Sequence, residues 1–90
     1  MIHVTGTLTC SITEEADLVR QHLPEHIRLS RAEPGCLTFN VDPTDDPLVW
    51  RLDESFADKA AFQAHGDRMR TSAWYTATAG LARNFEVRET

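Results

Sequence analysis

Apolar and polar residues alternate at the start of the chain. Ile2, Val4 and Leu8 are apolar, and His3, Thr5, Thr7 and Thr9 are polar. A period of two with β-branched residues predicts a strand. Gly6 falls in the apolar phase, where a missing side chain signals a bulge or a close approach of another backbone. The period then lengthens. Thr13 precedes Glu14, Glu15 and Asp17, and a hydroxyl followed by carboxylates complements the free amides of a helix start. Leu18, Val19, His22, Leu23, His26 and Ile27 recur at helical spacing. The pattern predicts a helix from about Glu14 to Ala32, kinked or briefly broken at Pro24, which lacks an N–H and crowds the preceding turn.

Glu33-Pro34-Gly35 stops that helix, because proline disfavours helical geometry before it and glycine accepts positive φ. A second strand runs from Cys36 to Val41, with Leu37 and Phe39 in one phase and Cys36, Thr38 and Asn40 in the other. Asp42 to Pro47 is rich in breakers and predicts a hairpin loop, followed by a third strand from Leu48 to about Glu54. Asp58 caps a helix containing Ala60, Ala61, Phe62 and Ala64, which Gly66 ends. Thr71-Ser72 open a further helix, Ala73 to about Ala79. Leu81 to Arg88 form the last strand, with Phe85 and Val87 in one phase.

The order β-α-β-β-α-β predicts a single α+β domain over residues 1–90. Its fold is ferredoxin-like, with helices on one face of a four-stranded antiparallel sheet. Ile2, Val4 and Leu8 compete for burial with Leu37, Phe39 and Val41 and with Leu48, Trp50 and Leu52, which puts apolar side chains on both faces. One helical layer covers one face, so a second subunit is expected over the other.

Composition changes this picture little. The 90 residues carry a formal charge of −5, which argues against nucleic acid or an anionic membrane as partner. Eight of the nine basic residues are arginine. No apolar run is long enough to span a bilayer, and the first residues lack the basic and apolar regions of a signal peptide. The two cysteines, Cys10 and Cys36, suit no disulfide framework or metal signature, so free thiols in a reducing cytoplasm are expected. Cys36 has no histidine or lysine beside it and reads as a small buried thiol rather than a reactive one.

Three segments carry a resemblance: EPGCLTFNV (33–41), DESFADKAAFQAH (53–65) and SAWY (72–75). In order and spacing they resemble the antibiotic biosynthesis monooxygenase (ABM) family. The pattern there is an E-P-G-C corner entering a strand, then E-x-[WF]-x-[DS]-x-x-A-[FL]-x-x-H, then a helix with an aromatic. The resemblance implies a dimeric α/β barrel: a homodimer whose two sheets pack face to face, each subunit keeping a pocket between sheet and helices. Members include cofactor-free monooxygenases of aromatic polyketides, quinol monooxygenases and haem-degrading enzymes, so it implies the fold more narrowly than the reaction. Two departures matter. The haem-degrading and quinol-type members favour tryptophan where this chain has Phe56. The haem-degrading members also carry a haem-ligating histidine where WYTATAG has Thr76 and Thr78, so haem degradation is not expected.

Cofactor-free oxygenation needs a base, donors for an organic anion and a dry apolar pocket. No G-x-G-x-x-G motif signals a flavin or nicotinamide, and no cofactor is expected. His65, at the family's F-x-x-H position, is the candidate base; the plain alternative is packing at a helix end. Asn40 and Tyr75 are the candidate donors, and Thr38 shares the phase of Asn40, though that phase also suits solvent or a partner sheet. His3 has a similar status. Trp50, Phe56, Phe62 and Trp74 offer flat surfaces for an aromatic ligand, or core packing. Arg51, with Arg68 and Arg83, would neutralise a substrate anion or form ordinary ion pairs. His22 and His26, at i and i+4, suit a shared metal only if a third ligand exists, and none is evident. The reading is a cofactor-independent monooxygenase of a quinol or other electron-rich aromatic. The alternative is a non-catalytic small-molecule-binding or assembly domain.

Overall fold

The computed structural model describes residues 1–90. Strand β1 (Ile2–Thr9) leads into α1 (Thr13–Arg31), β2 (Cys36–Pro43) and β3 (Val49–Phe56). Helices α2 (Lys59–Met69) and α3 (Ala73–Thr78) then precede β4 (Ala82–Glu89). The four strands form one antiparallel sheet in the order β2-β3-β1-β4. This is the expected ferredoxin-like α+β architecture.

Register settles which side chains share a face, because residues directly opposite in a sheet point the same way. Ile2 lies opposite Phe56, Val4 opposite both Glu54 and Val87, and Leu8 opposite Trp50. Phe39 lies opposite Glu54, and Val41 opposite Leu52. Apart from Leu37, Val49 and Ala82, the apolar strand residues therefore fall on the inner face, under the helices, where Val4, Leu8, Phe39 and Phe56 are each at most 3% exposed. The outer face carries Thr5, Thr7, Asp53, Ser55, Thr38, Asn40, Asn84 and Glu86. This corrects the expectation of apolar side chains on both faces. Leu37 was read in phase with Phe39, but the register shifts between Cys36 and Thr38, so Cys36 pairs with Phe56 and Leu37 is exposed. The same irregularity takes Cys36 out of the phase of Thr38 and Asn40 and leaves it half-buried against the core. Burial, with Glu33 and Glu54 nearby, raises its thiol above the usual value.

Local details depart from expectation in three places. Helix α1 is capped at Ile12 without a side-chain bond; Thr13 is already helical, and Glu15 reaches back to accept from the Ser11 N–H at 2.6 Å. Pro24 does not break α1. It lies on the exposed side, while Val19, Leu23, His26 and Ser30 hold the buried stripe on the sheet. Gly66 does not end α2, which continues to Met69 because Met69 packs against the core, and an interior glycine costs only about 1 kcal/mol. The caps of the later helices are as read: Asp58 accepts from Ala61 N–H at 2.8 Å, and Ser72 accepts from Tyr75 N–H at 3.2 Å.

Gly6 marks the close approach that its position suggested. Its φ is 150°, and a Cβ there would stand 2.1 Å from the carbonyl oxygen of Asn84 on β4. Gly35, at φ 84°, turns the corner between α1 and β2, with its Cα side facing Ala61 of α2.

Candidate functional site

The helices do not close completely on the inner sheet face. A cavity of about 480 Å³ remains, floored by Val4, Leu8, Val41 and Leu52 and walled by Phe62, Met69 and Trp74. Phe85 and Val87 of β4 form its mouth and are exposed, while Lys59, Gln63 and Arg70 supply a polar rim. Four ionisable side chains reach this otherwise apolar space: His26, Glu54, His65 and Arg83.

His65 is fixed from three sides. The spacing of α2 turns it inward, where it is 5% exposed. Its Nδ1–H donates to Glu33 Oε1 at 2.7 Å, while Glu33 Oε2 accepts from Arg68 Nε at 2.9 Å. Arg68 Nη2 in turn donates to Ser30 Oγ at 3.0 Å. Phe39 and Phe56 pack on the ring at 5.3 and 5.1 Å between centroids. The Glu33 carboxylate, already paired with Arg68, accepts the hydrogen bond of the His65 Nδ1–H and leaves Nε2 as the nitrogen available to a ligand. The E-P-G-C corner and the F-x-x-H helix, 32 residues apart, thus meet through one carboxylate.

His26 and Glu54 are the two residues that sequence reading missed. His26, weighed from the sequence as a metal ligand beside His22, is buried instead. It is 4% exposed and stacks on Trp74 with centroids 4.7 Å apart and planes 6° from parallel. Desolvation, reinforced by His65, Arg68 and Arg83, lowers its pKa to about 3, so the ring is neutral. No group of three or more potential ligands forms around it or His22, so the two do not assemble a metal site. Glu54 is 6% exposed, and burial, with Glu33 and Asp53 adding repulsion, raises its pKa to about 8. Both carried a signal: each charge-capable residue sits in an apolar periodicity, His26 after Val19 and Leu23, Glu54 between Leu52 and Phe56.

These two groups set opposite limbs of a pH–stability profile. Glu54 stabilises the fold fully below its unfolded value of 4.5, and that contribution is lost as pH rises to about 8. His26 stabilises it fully above 6.5, and that contribution is lost as pH falls towards 3. Between 4.5 and 6.5 the slopes cancel, so the urea midpoint should be flat there and fall on either side. Glu54→Gln should remove the alkaline limb alone. An unchanged decline above pH 6.5 in that variant would contradict the assignment.

The other candidates divide between the cavity and elsewhere. Phe62 and Trp74 line the cavity, and Phe56 is buried behind Phe62 and His65. Arg83 lines it too, with Nη1 donating to Thr78 O and Nη2 to Thr78 Oγ1, each at 2.7 Å. Trp50 is buried in the core with Arg20 over its ring at 5.6 Å, outside the cavity. Asn40 and Thr38 do not join His65. The strand pleat sends them to the outer face, where Asn40 Oδ1 accepts from Arg31 Nη2 at 3.2 Å and Thr38 bonds Ser55 at 2.7 Å between hydroxyls. Arg51 shares that face, opposite Thr7. Tyr75 is also absent from the cavity: neighbours in a helix diverge by about 100°, so burying Trp74 turns Tyr75 out. The expected set His65, Asn40 and Tyr75 therefore opens onto different surfaces.

The family model described as antibiotic biosynthesis monooxygenase matches residues 1–77. Among solved structures, the chain is similar to a candidate antibiotic biosynthesis monooxygenase from Deinococcus radiodurans, with a TM-score of 0.77 and 23% identity over 100% of this chain and 92% of that one. A second, from Nitrosomonas europaea, gives 0.78 and 18% over 100% and 98%. A third, from Caulobacter crescentus CB15, gives 0.79 and 22% over 99% and 88%. At these identities the likeness concerns the fold. No curated protein matches the sequence significantly.

Proposed function

Because the chain belongs to the antibiotic biosynthesis monooxygenase family, we propose that it is a cofactor-independent monooxygenase acting on a quinol or other electron-rich aromatic, bound in the cavity between sheet and helices. The observation that carries this reading is the buried His65, oriented by Glu33 and opening onto an aromatic-walled space of about 480 Å³. That volume suits a ring system of two or three fused rings.

In this reading His65 Nε2 removes the proton of a phenol or of an activated ring methylene. Glu33 holds the imidazole in the working tautomer and stabilises the imidazolium that forms. The electron-rich anion passes an electron to dioxygen and then combines with it. For a ring methylene, CH₂ and O₂ give C=O and H₂O; for a hydroquinone, the products are a hydroxyquinone and H₂O. Trp74 and Phe62 hold the ring by stacking, and Arg83 offsets developing negative charge. Asn40, Tyr75, Thr38 and Arg51 have no part in this site.

The same proposal includes a homodimer, with a second copy against the outer sheet face, as the family resemblance implies. That contact would be hydrogen-bonded and wet, since the face is polar. No helix is long and apolar enough to cross a membrane. The charge of −5 and two unpaired cysteines favour a reducing cytoplasm.

The test is oxygen uptake with a panel of hydroquinones and anthrones in metal-free buffer. Uptake matched by hydroxyquinone or quinone product is expected. Ligand-dependent thermal stabilisation without uptake would support the alternative, a non-catalytic binding domain.

A further inference from the structure

The carboxyl of Glu54 is the least explained group in the molecule. It stands on the inner face of β3, opposite Val4 and Phe39, and borders the cavity. It forms no ion pair or hydrogen bond with the protein, yet it is not sealed off. The side-chain polar atoms that are both occluded and unpartnered are His26 Nδ1 and Arg68 Nη1. Its oxygens therefore face the cavity. Buried carboxyls without partners are rare and costly, which points to a partner brought by a ligand.

The surrounding charges decide what kind. None of the cations around the cavity is paired with Glu54. Lys59 lies 3.3 Å from Glu89, Arg70 2.6 Å from Asp67 and Arg68 2.9 Å from Glu33, while Arg83 is bonded to Thr78. The ionisable groups around Glu54 are His26 from α1, Lys59, His65 and Arg70 from α2, Arg83 from β4, Glu33 at the α1–β2 corner, and Asp53, its neighbour in β3 on the opposite face. Two of these are acids, and both oppose ionisation.

We propose that Glu54 is the ligand-reading group of the cavity, donating a hydrogen bond to a carbonyl or anionic oxygen carried by an otherwise apolar ring system. It retains its proton to about pH 8, so it is a donor under neutral conditions. It favours rings bearing an oxygen acceptor over plain hydrocarbons and over ammonium-bearing rings. The assignment rests on the reading of this cavity as the substrate site and names the chemistry that the site would select.

Calorimetric titration with three probes of one ring size tests it: tetralin, 1-tetralone and 1-aminotetralin. At pH 6.5 the wild-type protein should bind 1-tetralone roughly tenfold more tightly than tetralin, the worth of one good hydrogen bond. The preference should fade by pH 9.5. Glu54→Gln, which keeps a donor, should retain most of it and lose the pH dependence. Glu54→Leu, an apolar replacement that fills the site, should abolish it while still binding tetralin. A preference that survives in Glu54→Leu overturns the proposal. So does preferred binding of 1-aminotetralin that Glu54→Gln removes, since that would make Glu54 an anion. Equal binding of tetralin and tetralone to the wild type sinks the Glu54 assignment alone; no binding of either sinks the cavity as a ligand site. Absence of oxygen uptake, with the tetralone preference intact, removes the reaction but not the role of Glu54.

Discussion

His65→Ala should lower the rate of substrate oxidation by about 10²- to 10³-fold, with ligand affinity changed only a few-fold. General-base catalysis by a positioned side chain is worth roughly 10²- to 10⁴-fold. The lower part applies here because a phenolic substrate ionises partly without help. Glu33→Gln should cost less, about tenfold, because an amide oxygen still accepts from Nδ1–H while the charge that stabilises an imidazolium is gone. The two variants act through one unit, so the double variant should be little worse than His65→Ala alone. The measurement is single-turnover oxidation of a quinol or anthrone followed by absorbance, beside a thermal melt of each variant. If His65→Ala, still folded, keeps more than half the parental rate, His65 is not the base.

Gly6→Ala should have the largest effect on stability. The added methyl would stand 2.1 Å from Asn84 O and 2.8 Å from Phe85 Cα, both backbone atoms that no rotamer change can move. The residue would also hold a φ of 150°, which side chains other than hydrogen resist. Overlap and strain together should cost about 3–5 kcal/mol, against a total of roughly 5–13 kcal/mol for 90 residues. Relief requires β4 to move off β1, and β4 supplies Arg83, Phe85 and Val87 to the cavity. Ligand binding should therefore fall with stability. Gly80→Ala is the control, since nothing lies within 4 Å of a Cβ there. A melting temperature for Gly6→Ala within a few degrees of that control would show that the sheet yields more easily than its geometry implies.

The scaffold was readable because each element announces itself within a few residues. Alternation marks the strands, the run from Val19 to Ile27 marks α1, and Asp58 and Ser72 mark helix starts. What could not be read were relations between distant elements. The alternation of Thr38 and Asn40 against Phe39 and Val41 was legible, but which phase faces a cavity depends on where the helices lie. The helices took the apolar phase, and Asn40 went outward with the other. Leu37 was misplaced by a single irregularity that alternation cannot foresee. Conversely, the link from Glu33 to His65 leaves no trace in spacing, because the corner and α2 are joined only by folding. Glu54 was legible in principle: an acid in the phase of Trp50, Leu52 and Phe56 breaks the pattern that buries them. The rule that acids cap and solubilise obscured it.

The polar outer face of the sheet has a kinetic consequence. The core strand residues of one chain are covered by that chain's own helices, with only Leu37, Phe85 and Val87 among the large apolar strand residues left exposed, so a nascent subunit completes its core without waiting for another copy. Collapse should then be first-order and independent of protein concentration, and the proposed homodimer would form in a later bimolecular event between finished subunits. Dilution would reverse that second event without undoing the first, in contrast to chains whose folding and assembly are a single step. The floor and walls of the cavity are built by one chain's own sheet and helices, so a single subunit should already hold it.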